Sequence, residues 1–313
     1  MIYASPVNSK VLIGWICLVS AGCQSTASHD RVSPVERSRG SGEASKPGTN
    51  SGKVVQGRTG SVPFPGAQQL PVAPGTSGCG KPTEELGIRD GAVQVGGSRR
   101  TFLRYVSPNY DANRRHILII GYHGLGLDGS SPRRDHKWTS LEESSGDAAI
   151  FIYANAAGGA WDGGGNSRDV LFFDELVRAT GEEFCLEKSR VFVHGFSNGA
   201  FFVNSLVNSR NTAIRGVISV AGGGGGAKIP AMIIHGKQDE NVGFYGSAPS
   251  TVNAYARANG CKAPSSIEQL KTDTCQLLEG CPPKLPVWVC PWSGNHHWPE
   301  FTLPDVWKFI TTT

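Results

Sequence analysis

Apolar residues occur in short blocks from about residue 79 onward, and turn-forming residues separate the blocks. The blocks long enough to form a strand are residues 116–124, 148–155, 190–195, 214–222, 231–236 and 286–290. Continuous apolar blocks of this length predict strands buried on both faces, as in parallel sheets. The preceding segment, residues 91–108, predicts a β-hairpin with Gly96 and Gly97 at its turn.

Amphipathic segments between these blocks predict helices. Within residues 167–184, for example, Val170, Phe173 and Leu176 recur at helical spacing. The other helical segments are residues 136–148, 198–210, 250–260 and 304–313. This alternation predicts an α/β fold, a mostly parallel sheet with helices on both faces. Functional sites in such folds form at the carboxyl ends of the strands.

One predicted strand passes directly into a predicted helix through a serine between two glycines. The segment is VFVHGFSNGAFF, residues 191–202, and it places Ser197 between Gly195 and Gly199. A G-x-S-x-G turn in this setting is typical of the nucleophile elbow of an α/β-hydrolase, which holds the serine oxygen above the sheet. Glycine is required where a tight turn brings backbone close to backbone. We therefore expect Ser197 to be a nucleophile.

A serine nucleophile needs a histidine base and a carboxylate that orients the histidine, in the chain order Ser, Asp or Glu, His. Asp239 follows the predicted strand 231–236 and is the expected acid, while the adjacent Glu240 should point elsewhere. His296 and His297 follow the last predicted strand, and spacing alone leaves both open as the base.

The developing oxyanion needs backbone N–H donors, one from the residue after the serine and one from the loop after an earlier strand. Asn198 is the residue after the serine, and Leu125 lies in the glycine-rich loop GYHGLGLDGSS. We expect the N–H groups of Leu125 and Asn198 to form the oxyanion hole. His123, in the same loop, is expected to be structural rather than a base.

The N-terminal region has the pattern of an exported protein. Residues 1–23 predict a signal peptide, because a lysine precedes an apolar stretch too short to span a bilayer of ~30 Å as a helix. Residues 20–23, Ser-Ala-Gly-Cys, resemble a bacterial lipobox and predict lipidation of Cys23, with ordinary cleavage nearby as the alternative. Residues 24–77 are rich in Ser, Gly and Pro and predict a disordered tether. The folded α/β-hydrolase domain is then expected to span 78–313.

The cysteines and the charge limit the possible partners. Of eight cysteines, two fall in the predicted signal peptide, and the others are Cys79, Cys185, Cys261, Cys275, Cys281 and Cys290. An even set without C-x-x-C spacing predicts three disulfides in an oxidising compartment rather than a metal site, and leaves the pairing open. The net charge of +4 is carried by scattered basic residues, which argues against nucleic acid as a partner.

Several segments, taken together and in order, resemble the secreted feruloyl esterases and polyhydroxybutyrate-depolymerase-like esterases of carbohydrate esterase family one. They are SGCGK, YVSPNYDANRRHILIIGYHGLG, HGFSNGA, HGKQDENV and EGCPPKLPVWVCPWSGNHHWP, and the resemblance covers residues 77–313. The resemblance implies an α/β-hydrolase fold and a serine esterase that uses no cofactor and no metal.

The resemblance also implies roles for individual residues. The family's nucleophile falls on Ser197, the aspartate of H-G-x-x-D on Asp239, and an oxyanion donor on Leu125. The histidine of the family's G-G-H segment falls on His296, with asparagine in place of the second glycine, and this decides against His297.

The segment GGAWDGGGN, residues 158–166, resembles a tryptophan-containing loop of the same family. We expect Trp161 and Trp298 to form apolar walls for an aromatic acyl group or a polyester. The alternative is that each tryptophan packs its own loop.

The expected function is that of a secreted serine carboxylic ester hydrolase, feruloyl-esterase-like and lipid-anchored to a bacterial membrane. Its expected substrate is a feruloylated plant cell-wall polysaccharide or a polyester, and it meets the membrane only through the anchor. A polyhydroxybutyrate depolymerase or an acetylxylan esterase with the same triad is an alternative. A catalytically inactive tethered binding protein on a hydrolase scaffold is a further alternative.

Overall fold

The structure is a computed structural model that describes residues 75–313. The predicted signal peptide, Cys23 and the predicted tether up to residue 74 lie outside the described residues. The described chain starts in contact with the sheet, since the Thr76 hydroxyl donates to the Phe184 carbonyl at 2.6 Å and accepts from the Leu186 N–H at 2.9 Å.

Nine strands of the described residues form one sheet. They are β1 (Gly87–Val95), β2 (Ser98–Val106), β3 (His116–Tyr122), β4 (Ala149–Ala154), β5 (Leu186–Phe196), β6 (Gly216–Val220), β7 (Ala231–Gly236), β8 (Gln276–Leu277) and β9 (Val287–Trp292). Their order across the sheet is β1-β2-β4-β3-β5-β6-β7-β9-β8. Strands β4, β3, β5, β6, β7 and β9 are parallel, and β1, β2 and β8 pair antiparallel. The predicted mostly parallel sheet is confirmed.

Helices cover both faces of this sheet. They are α1 (Ser131–Asp135), α2 (Trp138–Ser145), α3 (Arg168–Glu183), α4 (Asn198–Arg210), α5 (Phe244–Asn259) and α6 (Leu303–Thr312). One core cluster contains the apolar faces of α3, α4 and α5, and the other contains those of α2 and α6. No helix of the described residues is both long and apolar enough to cross a bilayer.

Strand β3 shows why the parallel strands have continuous apolar sequences. Leu118 and Ile120 belong to the core cluster on one face, and Ile117 and Ile119 belong to the cluster on the other face. Because both faces of the strand are covered, the positions from Ile117 to Ile120 are all apolar.

The predicted segments differ from the structure where tertiary packing decides. Helix α5 begins at Phe244 rather than at residue 250, although it contains Pro249, because Phe244 and Ala248 are both buried in the core. That burial offsets the backbone hydrogen bond that proline removes. Strand β5 begins at Leu186, before the apolar block, and the two-residue strand β8 was not predicted.

All six cysteines of the described domain form disulfides, which confirms the predicted three. The pairs are Cys79–Cys185, Cys261–Cys281 and Cys275–Cys290. The last of them ties the residue before β8 to β9. Disulfides of this number are typical of proteins that fold in an oxidising, extracytoplasmic compartment.

Candidate active site

Ser197 lies at a strained turn between β5 and α4. Its φ is +54°, a conformation that non-glycine residues rarely adopt. A side chain at Gly195 would collide with the Gly199 carbonyl, and one at Gly199 would collide with the Tyr122 carbonyl at the end of β3. The Ser197 N–H donates to the Val220 carbonyl at the end of β6, at 2.9 Å. Neighbouring strands therefore hold the strained residue in place.

The structure brings Ser197, His296 and Asp239 into one hydrogen-bonded chain. His296 Nε2 lies 2.9 Å from Ser197 Oγ, and His296 Nδ1 lies 2.7 Å from Asp239 Oδ2. A neutral imidazole that donates from Nδ1 to the carboxylate has Nε2 free to accept the serine proton. These residues come from the loops after β5, β7 and β9, which share the carboxyl edge of the sheet.

The Asp239 carboxylate is buried and fully matched by donors. Its Oδ1 accepts from the N–H groups of Asn241 and Val242, at 3.0 and 2.8 Å, and its Oδ2 accepts from His296. His235 Nε2 is 3.4 Å from the same Oδ2, but it lies closer, at 2.7 Å, to the Val242 carbonyl. Burial lowers the pKa of His235, which keeps this ring neutral.

Glu240 and His297, which follow Asp239 and His296 along the chain, lie outside the chain of hydrogen bonds. Glu240 is exposed, directly after the buried Asp239. His297 is also exposed, and its Nδ1 pairs with the Asn295 side chain at 3.1 Å. Asp239 and His296 therefore belong to the hydrogen-bonded chain that ends at Ser197, and their sequence neighbours do not.

Trp161 ties the loop that contains Leu125 to the start of α4, where Asn198 lies. The Trp161 backbone N–H donates to Asn198 Oδ1 at 2.7 Å, and its indole N–H donates to the His123 carbonyl at 2.9 Å. Within residues 75–313, neither the Leu125 N–H nor the Asn198 N–H has a hydrogen-bond acceptor. Both groups are therefore free to bind a substrate oxygen.

His123 holds the loop after β3 and is not placed as a base. Its Nε2 accepts from the Ala156 N–H at 3.1 Å, and its Nδ1 donates to the Gly124 carbonyl at 2.7 Å. Burial lowers its pKa, which stabilises the neutral ring that this pattern requires.

A buried ion pair supports the Trp161 loop, and the sequence did not predict it. Arg100 on β2 lies 2.7 Å from Asp169 Oδ1 at the start of α3, and Asp169 Oδ2 accepts from the Asp162 N–H at 2.8 Å. The pair thus fixes the residue next to Trp161. No local sequence pattern predicts this ion pair, because Arg100 and Asp169 lie far apart along the chain.

Trp161 and Trp298 are both buried, as the alternative that each tryptophan packs its own loop expects. Trp298 is 2% exposed, packs against Trp138, His136 and His194, and donates to Thr302 Oγ1. Trp161 is 7% exposed and belongs to the core cluster. Both indoles are used to pack loops, so neither offers a broad face to a ligand.

Four large apolar side chains are well exposed on the segments that follow strands β3, β5, β7 and β9. They are Leu125 in the loop after β3, Phe201 in the first turn of α4, Tyr245 in the first turn of α5, and Phe301 shortly after His296. Leu125 and Tyr245 are each 70% exposed. No group of three or more His, Cys, Asp or Glu side chains among the described residues is placed to hold a metal ion.

Comparison with known proteins gives the class of this fold and site. No family model matches the chain. A probable feruloyl esterase C of Aspergillus terreus is 27% identical over 259 residues, which cover 75% of this chain and 91% of that enzyme. Feruloyl esterase C of Emericella nidulans is 29% identical over 205 residues, which cover 61% of this chain and 72% of that enzyme. The solved acetyl xylan esterase from Aspergillus awamori superposes with a TM-score of 0.58 at 16% identity, covering 72% of this chain and 100% of its own.

The fold is that of the α/β-hydrolases, and the chain is a carboxylic ester hydrolase. More narrowly, it is similar to feruloyl esterases, which confirms the resemblance predicted from its sequence.

The two adjacent histidines allow a matched test of the site. We expect His296→Ala to reduce kcat on a chromogenic ester by roughly 10⁴-fold or more, because only His296 contacts Ser197. His297→Ala should have little effect, because its exposed ring contacts no member of the chain of hydrogen bonds. Steady-state kinetics of both variants, with folding checked by circular dichroism, make the comparison. The reverse order of effects would place the base at residue 297.

Proposed function

We propose that this chain hydrolyses carboxylic esters through a covalent acyl-enzyme on Ser197. The observation that carries the proposal is the continuous chain from Ser197 Oγ through His296 to the buried Asp239. Such a chain converts a weakly nucleophilic hydroxyl into an effective one at neutral pH.

Acylation uses each group of the site in turn. Ser197 Oγ attacks the ester carbonyl carbon while its proton passes to His296 Nε2, and Asp239 stabilises the imidazolium that forms. The N–H groups of Leu125 and Asn198 hold the negative oxygen of the tetrahedral intermediate. The carbonyl re-forms, the bond to the alkoxy oxygen breaks, and His296 returns the proton to the leaving alcohol.

Deacylation repeats these steps with water in place of serine. His296 takes a proton from water, which attacks the acyl carbonyl, and the Ser197 oxygen leaves with that proton. The products are a free carboxylic acid and an alcohol, and the enzyme returns to its starting state.

The preferred substrate is an ester of an aromatic acid, of the feruloyl type found on plant cell-wall polysaccharides. Two observations support it: the relatives are named feruloyl esterases, and exposed apolar side chains lie on the segments that follow β3, β5, β7 and β9. Phe201 is 44% exposed and four residues after Ser197, one helical turn away. An aromatic acyl ring stacked on it would gain about 0.5–1.5 kcal/mol beyond simple burial.

An acetylated xylan is the second candidate substrate. The fold superposes on an acetyl xylan esterase, and the acetyl group needs no aromatic contact. The same catalytic residues would serve it, as they would serve a polyhydroxybutyrate oligomer.

We further propose that the enzyme works outside the cytoplasm, held to a membrane by lipid on Cys23. The disulfides support the compartment, and the lipobox-like residues 20–23 support the anchor. The segment from residue 24 to residue 74 would then span the distance between the anchor and the catalytic domain.

Replacing the nucleophile tests the proposed chemistry. Ser197→Ala should lower kcat by roughly 10⁴-fold or more, because the covalent route is lost while the packing of the turn is retained. Turnover of a chromogenic ester and the thermal unfolding midpoint are measured together. A folded Ser197→Ala protein with near wild-type turnover would show that the reaction does not pass through Ser197.

The acyl preference is tested by kcat/KM on methyl ferulate, an acetylated xylo-oligosaccharide and a 3-hydroxybutyrate oligomer. We expect methyl ferulate to lead, and Phe201→Ser to lower its kcat/KM by roughly two- to tenfold with little effect on the acetyl ester. The matched control is Ile88→Ser, which removes an exposed apolar side chain from β1 at the sheet edge. Faster cleavage of either other ester would assign the enzyme to that substrate.

The anchor is tested in a bacterial host fed a labelled fatty acid. The wild-type protein should take up the label and fractionate with membranes, and Cys23→Ser should abolish both. The control is Cys17→Ser, which leaves residues 20–23 intact. Label retained in Cys23→Ser, or wild-type protein found free in the medium, would contradict the anchor.

A further inference from the structure

The segment between α5 and β9 is fastened to the loop that carries His296. We call residues 261–286 the clamp segment. The disulfide Cys261–Cys281 closes it on itself, and Cys275–Cys290 ties it to β9. A covalently fastened segment beside a catalytic loop can restrain that loop.

Asp273 in the clamp segment makes three hydrogen bonds to the end of β9 and the residue that follows it. Its N–H donates to the Pro291 carbonyl at 2.9 Å. Its Oδ1 accepts from the Ser293 N–H at 2.9 Å and from the Ser293 hydroxyl at 3.0 Å. Ser293 lies three residues before His296, so these bonds fix the start of the loop that carries the ring.

The backbone conformation of Asp273 matches this role. Its φ is +59°, and it is one of four non-glycine residues with positive φ among residues 75–313, of which Ser197 is another. Such conformations persist only where surrounding contacts determine them, and they occur often at functional sites. Here the hydrogen bonds to Pro291 and Ser293 supply those contacts.

The same loop is held from its other side by residues next to Asp239. The Lys237 N–H donates to the Trp292 carbonyl at 2.7 Å, and the Gln238 N–H donates to the Gly294 carbonyl at 3.0 Å. The Lys237 ammonium also donates to Thr272 Oγ1 at 2.6 Å, which joins the acid loop to the residue before Asp273. The loop that carries His296 is therefore hydrogen-bonded both to the Asp239 loop and to Asp273.

We propose that Asp273 is a positioning residue for His296, acting through Ser293 to hold the imidazole in line with Ser197 and Asp239. The inference rests on the proposed role of His296 as the base. Asp273 makes its hydrogen bonds to Pro291 and Ser293 rather than to Ser197, Asp239 or His296, and its effect is on the placement of His296 Nε2. A base displaced by about 1 Å can lose as much as 10²-fold in rate.

The test compares kcat and KM on methyl ferulate for wild type, Asp273→Ala and Asp273→Asn, well below the unfolding midpoint of each protein. Alanine removes both acceptor bonds, whereas asparagine keeps a side-chain oxygen and tolerates positive φ. We expect Asp273→Ala to lower kcat about tenfold with KM within about twofold of wild type, and Asp273→Asn to restore most of kcat. Lys137→Ala, at another exposed positive-φ residue, controls for loss of a side chain in that conformation.

A merely structural role would lower the unfolding midpoint of Asp273→Ala and leave kcat unchanged, and that result would overturn the proposal. Equal kcat values for the alanine and asparagine variants would also overturn it. If Asp273→Ala does not fold, Ser293→Ala takes its place, since it removes only the hydroxyl bond, and it must lower kcat with KM unchanged. Ser197→Ala is measured in parallel. If Ser197→Ala keeps its activity, the proposed chemistry is wrong. If Ser197→Ala is inactive but Asp273→Ala is fully active, only the inference about Asp273 is wrong.

Discussion

The buried Asp239 carboxylate must be matched by hydrogen-bond donors, because an unpaired charge in a protein interior is strongly destabilising. Two donors are local, the N–H groups of Asn241 and Val242, and the third is His296, 57 residues further along the chain. The third donor can be supplied only if β7 and β9 lie side by side and end together. Their parallel register, with Gly236 opposite Trp292, provides this. The arrangement of the site thus depends on how one carboxylate is satisfied.

The strained turn at Ser197 depends on the same edge of the sheet. A positive φ at a serine costs free energy, and close packing of Gly195 and Gly199 against neighbouring backbone offsets it. Each loop around the turn is held in place by contacts with the next. Arg100 and Asp169 fix the Trp161 loop, Trp161 ties it to Asn198 and to the carbonyl of His123, and His123 fixes the Leu125 loop. The groups that meet substrate can therefore be preorganised although they stand on loops.

Local sequence predicted the parallel strands, Ser197 and Asp239, because each has a local signature. Strands buried on both faces need continuous apolar blocks, and the serine needs flanking glycines. The prediction that His296 rather than His297 is the base came from a family resemblance, since spacing left both histidines open. The burial of Trp161 and Trp298 could not be predicted, because composition shows that an indole is present but not which side of a loop it packs. The disulfide pairing, the Arg100–Asp169 pair and the Asp273–Ser293 contact join distant residues, and no local pattern specifies such contacts.

We infer that Ser197 is the one hydroxyl activated by this arrangement. A fluorophosphonate reacts with an activated serine to form a stable adduct, and mass spectrometry of the digested protein locates it. We expect one equivalent of adduct, carried by the peptide that contains Ser197, and almost none in His296→Ala under the same conditions. An adduct on a different residue, or equal labelling of wild type and His296→Ala, would contradict it.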